Sequence, residues 1–340
     1  MQERLERLWY EDGAGAPLLA PLAWVYGVLA GARRRAYRSG WLKPRRLARP
    51  VVVVGNLTVG GTGKTPLTIY LARELGAANL KVGIVSRGYG RRGAQMRSVQ
   101  PDSDWRDVGD EPVIIARRTG FPTMVAADRV AAARTLIARG AEVILADDGL
   151  QHLPLGRDCE IVVIDGRRGF GNGRLLPAGP LREPIAALGR VDLVVVNGEP
   201  AHRSLAPPAL PAGALRMRLV AQPAVRLDGR GQPCELAAFR DRRVHAVAGI
   251  GNPQRFFAEL AGQGLEVIAH AFPDHHPFTE RELSFGDELP VLMTEKDAVK
   301  CAAFAHARWW YVPVSAAFSE ADAQALRARV LGKLRAAPGG

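Results

Sequence analysis

The stretch Pro50-Val51-Val52-Val53-Val54-Gly55-Asn56-Leu57-Thr58-Val59-Gly60-Gly61-Thr62-Gly63-Lys64-Thr65-Pro66 decides the fold. Its consecutive valines form a run too short for a helix and typical of a parallel strand buried on both faces. The glycines that follow let successive backbone N–H groups turn inward around phosphate oxygens with no side chain in the way. Pro66 suits the first turn of a helix, and the N-terminus of that helix brings partial positive charge to the same place. In this strand, loop and helix context Thr58, Val59, Gly60, Gly61, Thr62, Gly63, Lys64, Thr65 and Pro66 read as a phosphate-binding P-loop for ATP. Lys64 is placed to reach the β and γ phosphates and the Thr65 hydroxyl to ligate Mg²⁺. The loop departs from the strict pattern where Thr58 stands for the first glycine, and Gly60 and Gly61 supply the flexibility instead.

Working outward, apolar runs recur at 82–85, 143–146, 161–164, 193–196, 244–248, 291–293 and 309–314, with helix-compatible segments such as 66–75 and 129–139 between them. Strands alternating with helices imply a mainly parallel sheet covered on both faces, a P-loop NTPase-like three-layer α/β/α sandwich. A chain of 340 residues, 47% hydrophobic and 24% charged, suits one large or two moderate domains, and two is the expectation. The low aromatic content and plentiful Gly and Pro exclude a coiled coil or fibre. Cys159, Cys234 and Cys301 stand far apart, without the close spacings of zinc sites or redox pairs.

A P-loop enzyme also needs carboxylates at the ends of neighbouring strands. Glu142-Val143-Ile144-Leu145-Ala146-Asp147-Asp148-Gly149 reads as a buried strand ending in paired acids, which repel each other unless a cation neutralises them. Asp165 ends a similar run, but Gly166, Arg167 and Arg168 beside it make it a turn residue. Polar clusters in loops are further candidates: Gly109-Asp110-Glu111-Pro112, Gln151-His152, Leu181-Arg182-Glu183-Pro184, Asp274-His275-His276 and Thr294-Glu295-Lys296-Asp297. Asp110 could equally cap a helix, and adjacent histidines on a strand point to opposite faces, which argues against a metal pair at 275–276.

The formal net charge of +12 calls for an acidic partner. Arg33, Arg34, Arg35, Arg38, Lys43, Arg45, Arg46 and Arg49 form a basic stretch directly after the uncharged, largely apolar segment 13–32. Pro17, Pro21 and several glycines argue against a spanning helix, and the acids before the run argue against a secretory signal. The reading is an interfacial helix, with Trp24, Tyr26, Tyr37 and Trp41 at headgroup depth and the arginines on anionic lipid. A core-packed helix with a solvated basic end is the alternative.

Taken together, Gly55-Asn56-Leu57 with the P-loop, Ser86-Arg87-Gly88-Tyr89-Gly90, Gly109-Asp110-Glu111-Pro112, Asp147-Asp148-Gly149-Leu150-Gln151-His152, Gly249-Ile250-Gly251-Asn252-Pro253 and Thr294-Glu295-Lys296-Asp297 make a pattern. It resembles the tetraacyldisaccharide 4'-kinases, the lipid A 4'-kinases of Gram-negative bacteria, from the N-terminal apolar segment to about Val314. The resemblance implies a peripheral enzyme on the cytoplasmic face of the inner membrane that uses ATP and Mg²⁺ to phosphorylate the 4'-hydroxyl of a lipid A disaccharide precursor. Its partners are that lipid and the anionic membrane surface, with no nucleic acid. It also implies a smaller α/β lobe beside the P-loop lobe, joined partly by a β ribbon. The expected division is a membrane-associating segment at 1–49, a P-loop kinase domain at 50–210 and a smaller lobe at 211–335, with the boundary in Pro207 to Pro211 and room for a return strand or helix to come back across it from the C-terminus. By the family pattern Asp110 takes the proton from the sugar hydroxyl with His275 as its partner, while Asp147 and Asp148 serve metal and substrate. Thr65, Asp147 and Glu111 make up the metal set, and Tyr89, Gln151, Arg182 and Glu183 match positions near nucleotide or substrate phosphate. The sequence leaves open which of Asp110, Asp147 and Asp148 is base and which is ligand. A P-loop NTPase driving a partner protein is the alternative function, because Thr294-Glu295-Lys296-Asp297 is similar to a guanine-reading motif.

Overall fold

The computed structural model describes residues 2–11, 15–206 and 209–337. Strands β1 (Val51–Gly55), β2 (Val82–Ser86), β3 (Arg97–Val99), β4 (Thr123–Val125), β5 (Val143–Asp147), β6 (Cys159–Asp165), β7 (Leu193–Asn197) and β8 (Leu215–Ala221) come first. They are followed by β9 (Val225–Arg226), β10 (Arg243–Ala248), β11 (Glu266–Ala271), β12 (Val291–Thr294), β13 (Trp309–Val312) and β14 (Val314–Phe318). The helices are α1 (Gln2–Tyr10), α2 (Ala20–Arg38), α3 (Lys64–Ala77), α4 (Trp105–Val108), α5 (Asp110–Thr119), α6 (Arg129–Ala138), α7 (Pro253–Gly262), α8 (Glu295–Cys301) and α9 (Glu320–Ala336).

The strands make two sheets, one of nine in the order β14-β8-β7-β6-β1-β5-β2-β4-β3 and one of five in the order β11-β10-β12-β13-β9. In the large sheet every pairing from β8 to β4 is parallel, and β14 and β3 close the edges antiparallel. β1 lies near the centre, and all its residues are buried. Val52 and Val54 pack with Leu67 and Leu71 of α3, Val113 of α5 and Leu326 of α9, whereas Val51 and Val53 pack with Val130, Ala133 and Leu136 of α6. Alternate side chains thus enter cores on opposite faces, which is why the strand reads as an unbroken valine run. The small sheet repeats this arrangement, with Ala246 and Leu292 against Phe256 and Leu260 on one face and Val247 and Met293 against Phe278 and Trp309 on the other.

Three elements of the range 211–335, namely β8, expected in the smaller lobe, and β14 and α9, which are the expected return from the C-terminus, sit on the large sheet. β8 continues it parallel to β7 in the register Val195↔Leu215, β14 returns antiparallel to β8, and α9 buries Leu326, Val330 and Leu334 in the large-sheet core. The chain therefore leaves the large sheet after Ala221 and re-enters it at Val314. The two crossings lie side by side, tied by Gln222 N–H donating to Pro313 O at 2.8 Å. The apolar run 309–314, expected as one strand, is split at Pro313 because proline has no N–H to continue a ladder. Pro207 and Pro208 of the expected boundary lie outside the described residues.

The N-terminal helix α2 is not a core helix. Ala23 is its one buried residue, while Trp24 is 70% and Leu29 66% exposed. The segment Ala16–Arg38 is long enough to cross a membrane by length and composition, and an 18-residue window within it has a mean hydropathy of 1.2.

Candidate active site

The P-loop runs from the end of β1 into α3, and its shape is set by its neighbours. Gly63 at φ +98° and Gly60 at φ +105° supply the left-handed turns. A Cβ on Gly63 would lie 2.8 Å from Asn197 Nδ2, so a side chain there is excluded by space as well as by backbone. Asn197, at the end of β7, donates to Thr62 O at 3.0 Å and accepts from Arg255 Nη2 at 3.2 Å. Thr58, in the first-glycine position, forms an extended bridge with Leu181, and Val59 N–H donates to Pro180 O at 2.9 Å. That position needs no positive φ, which accounts for the tolerated threonine.

The parallel register Val54↔Asp147 sets the paired acids of β5 beside the strand that feeds the P-loop. Asp147 is fully buried; its Oδ1 accepts from Thr68 Oγ1 at 2.9 Å and its Oδ2 has no partner. Burial, with the charges of Glu111 and Asp148 added to it, pushes the Asp147 pKa up to about 7 against the opposing effects of Lys64 and Thr68. The next residue behaves differently. Asp148 turns left-handed at φ +48°, and its carbonyl accepts from Arg129 Nη1 at 2.9 Å. Its carboxylate lies 3.7 Å from Lys64 Nζ and 3.2 Å from Arg182 Nη1. Burial works against ionisation of Asp148, but Lys64 and Arg182 outweigh it and hold its pKa below the usual carboxylate range. Asp147 Oδ2 is thus a buried, unpaired carboxylate oxygen on an acid that burial, and then the charges of Glu111 and Asp148, keep from ionising.

Arg182 leads outward to the N-terminal helix. Its Nη1 also reaches Gln151 Oε1 at 3.4 Å, and Gln151 Nε2 donates to Asn56 O and Glu183 Oε1, both at 3.1 Å. Glu183 pairs with Arg34 of α2 at 3.2 Å, and Tyr26 of α2 donates its hydroxyl to Arg182 O at 2.9 Å. The exposed apolar helix is thereby fixed to the polar cluster at the P-loop. A cavity of about 450 Å³ lies along it, lined by Trp24, Gly27, Val28, Leu175, Pro184 and Arg190 among others.

The second cluster joins the two sheets. Asp110 opens α5 on the large sheet, buried, with Oδ1 accepting from Glu111 N–H at 2.8 Å. His275, in the loop after β11 of the small sheet, lies with Nδ1 3.0 Å from Asp110 Oδ2. Lys296 Nζ lies 3.2 Å from His275 Nε2 and 3.1 Å from Asp274 Oδ1. An ammonium only donates, so Nε2 accepts and Nδ1 carries the proton given to Asp110. Burial opposes ionisation of Asp110, but the hydrogen bond from His275 and the charges of Lys296 and Lys300 hold its pKa down. The carboxylates of Glu111, Asp110 and Asp274 in turn raise the pKa of Lys296 against its burial.

The structure brings Lys64, Asp148, Gln151, Arg182 and Glu183 into one network, with Asp147 next to Asp148 in the chain and bonded to Thr68, and Asp110, Glu111 and His275 into another. Tyr89 is 66% exposed, its ring centred 5.0 Å from that of His275. Thr65 lies in the first turn of α3. Asp165 is a turn residue, its Oδ1 accepting from Arg167 and Arg168 N–H. His276 parts from His275 and pairs with Glu282 at 2.9 Å. Thr294-Glu295-Lys296-Asp297 does not form a base-reading loop: Thr294 caps α8, Asp297 accepts from Gly249 N–H, and Lys296 faces His275. Sequence reading missed Asn197, whose one signal is a polar residue ending a valine run, and Arg129 and Lys300, which no local pattern distinguishes; Arg34, read as one of the arginines on anionic lipid, is turned to Glu183 instead.

The family model described as tetraacyldisaccharide-1-P 4'-kinase matches residues 15–335. A tetraacyldisaccharide 4'-kinase of Methylobacillus flagellatus is 48% identical over 328 residues, covering 96% of this chain and 95% of its own. One of Alkalilimnicola ehrlichii is 52% identical over 314 residues, 92% of each chain. The crystal structure of LpxK from Aquifex aeolicus in complex with ATP has a TM-score of 0.76 at 27% identity, covering 94% of this chain and 99% of that one. A match of this extent, on a chain whose P-loop, paired acids and Asp110–His275 pair are all assembled, has one conclusion: this protein belongs to the tetraacyldisaccharide-1-P 4'-kinase family.

Proposed function

We propose that this chain transfers the γ-phosphoryl group of ATP to the 4'-hydroxyl of a tetraacyldisaccharide 1-phosphate, a step of lipid A biosynthesis, at the cytoplasmic face of the bacterial inner membrane. The observation that carries the reading is the 3.0 Å hydrogen bond between Asp110 and His275, formed between α5 of the large sheet and the loop after β11 of the small one. A sugar hydroxyl is a poor nucleophile, and a buried carboxylate oriented by an imidazole is the group that accepts its proton as transfer proceeds. Asp110 is therefore the base. His275 orients it through Nδ1–H, and Lys296 fixes the tautomer from the other side of the ring.

On the donor side, the P-loop amides and Lys64 take the β and γ phosphates, and Lys64 leaves Asp148 for them on binding. Arg182, with its planar fork, holds phosphate or sugar oxygens together with Gln151, while Glu183 holds Arg34 of the membrane helix. Thr65, Asp147 and Glu111 would hold Mg²⁺, which when bound neutralises charge on the phosphates. The orphaned Asp147 Oδ2 supports that assignment. The unit built on the five-stranded sheet, which carries His275 and Lys296, is the lobe that closes over the nucleotide.

Helix α2 supports a peripheral position. It is fixed to the site through Tyr26 and Arg34, exposes Leu22, Trp24 and Leu29, with Leu18 exposed just before it, and runs into a basic stretch. That combination of apolar face and polybasic patch suits a helix lying in an anionic interface, and the cavity beside it accepts acyl chains of the lipid. The test is transfer from γ-labelled ATP to detergent-dispersed tetraacyldisaccharide 1-phosphate with Mg²⁺. Label in the lipid is the expected result, and label released only as free phosphate by folded, nucleotide-binding protein rejects the acceptor.

A further inference from the structure

Asp110 is held from a second direction by a residue outside every motif. Lys300 lies on α8 one turn beyond Lys296, and its side chain is wholly buried. Its Nζ is 3.0 Å from Asp297 Oδ1, 3.9 Å from Asp110 Oδ2 and 5.6 Å from the centre of the Phe278 ring. Asp297 is equally buried, and its Oδ2 accepts from Gly249 N–H at 2.9 Å and from Thr294 Oγ1 at 2.6 Å. Gly249 opens the loop that approaches the P-loop: Gly251 O accepts from Arg168 Nη2 at 2.8 Å, and a Cβ on Gly251 would lie 3.6 Å from Gly61 N. A row of alternating charge, Asp110, Lys300, Asp297, thus crosses from α5 of the large sheet into α8 of the small one and ends on backbone facing the nucleotide loop.

Burying a lysine is costly unless its charge is used, and a methionine would fill the same space without that cost. We propose that Lys300 is a positioning residue for phosphoryl transfer, acting through Asp110: it holds the Oδ2 edge of that carboxylate against α8, so that the base is set only while the two sheets are docked. The inference rests on Asp110 being the group that meets the acceptor hydroxyl. Asp110 Oδ1 is fixed within its own helix by Glu111 N–H, whereas both partners of Oδ2, His275 and Lys300, come from the small-sheet side. Lys300 supplies the fully buried one of the two.

The test uses the full-length enzyme with ATP and tetraacyldisaccharide 1-phosphate. Lys300→Met is introduced into an Asp297→Asn parent so that no buried carboxylate is left stranded, and thermal midpoints confirm that each variant is folded. Relative to that parent, kcat is expected to fall about 10- to 100-fold, the scale of a misplaced reacting group, with KM for ATP within about twofold. In an Asp110→Asn background the same change should alter residual kcat by less than about twofold, because two residues acting through one group are not additive. An unchanged kcat overturns the proposal, as does an equal loss in the Asp110→Asn background or a rise in KM for ATP at constant kcat. Near-normal kcat for Asp110→Asn alone rejects the assignment of the base itself.

Discussion

Asp147 offers a test in which stability and activity move in opposite directions. Its folded pKa is about 7 against an ordinary value of 3.8. Between those values the unfolded chain has released the proton while the folded chain retains it, so stability falls as pH rises and levels off above about pH 7. At about 1.4 kcal/mol per pH unit the total loss is about 4 kcal/mol, of which about 3 kcal/mol falls between about pH 5 and pH 8. Asp147→Asn removes the titration while keeping an oxygen for Thr68 Oγ1. The amide N–H₂ then occupies the place where Oδ2 had no partner, at a cost of about 1–3 kcal/mol that does not depend on pH. Urea unfolding in EDTA, with wild type and variant side by side, should therefore show the variant gaining about 3 kcal/mol relative to wild type from about pH 5 to pH 8. The same variant should have no measurable turnover with ATP and Mg²⁺. A stability difference that stays flat over this range would refute the argument that burial and neighbouring carboxylates destabilise the Asp147 anion.

Other outcomes follow from the same geometry. Gly63→Ala forces a Cβ to 2.8 Å from Asn197 Nδ2 at a left-handed φ, so it should cost about 2–4 kcal/mol and weaken ATP binding, read by thermal denaturation and by nucleotide titration. Lys64→Ala should abolish turnover, and because Asp148 keeps Arg182 as a partner the thermal midpoint should change little; retained kcat would remove Lys64 from the reaction. Trp24→Glu with Leu29→Glu changes two exposed side chains, so the protein should stay folded but no longer sediment with vesicles containing anionic lipid. Retention on vesicles would place the membrane contact elsewhere.

The sequence by itself determined what short-range chemistry determines. A valine run followed by Gly-Gly-Thr-Gly-Lys-Thr dictates a buried strand, a phosphate loop and a helix, because backbone freedom, side-chain period and helix polarity act within a few residues. The paired acids at the end of β5 were legible for the same reason, since two adjacent carboxylates without a cation are unfavourable wherever they fold. The apolar and basic N-terminal segment was legible as a surface element, although only its exposure in the fold separated it from a core helix. Tertiary structure alone decided the rest. Asp110 and His275 are separated by 165 positions, and nothing local to either names the other. Lys300 looks like any helix-surface lysine until α8 docks on α5 and buries it between two carboxylates. The run 309–314 looks like one strand, but it divides between two sheets because Pro313 interrupts the ladder where the chain crosses back beside Gln222. Chain-local propensity cannot encode such pairings, since they depend on which distant surfaces meet and which charges are left without water when they do.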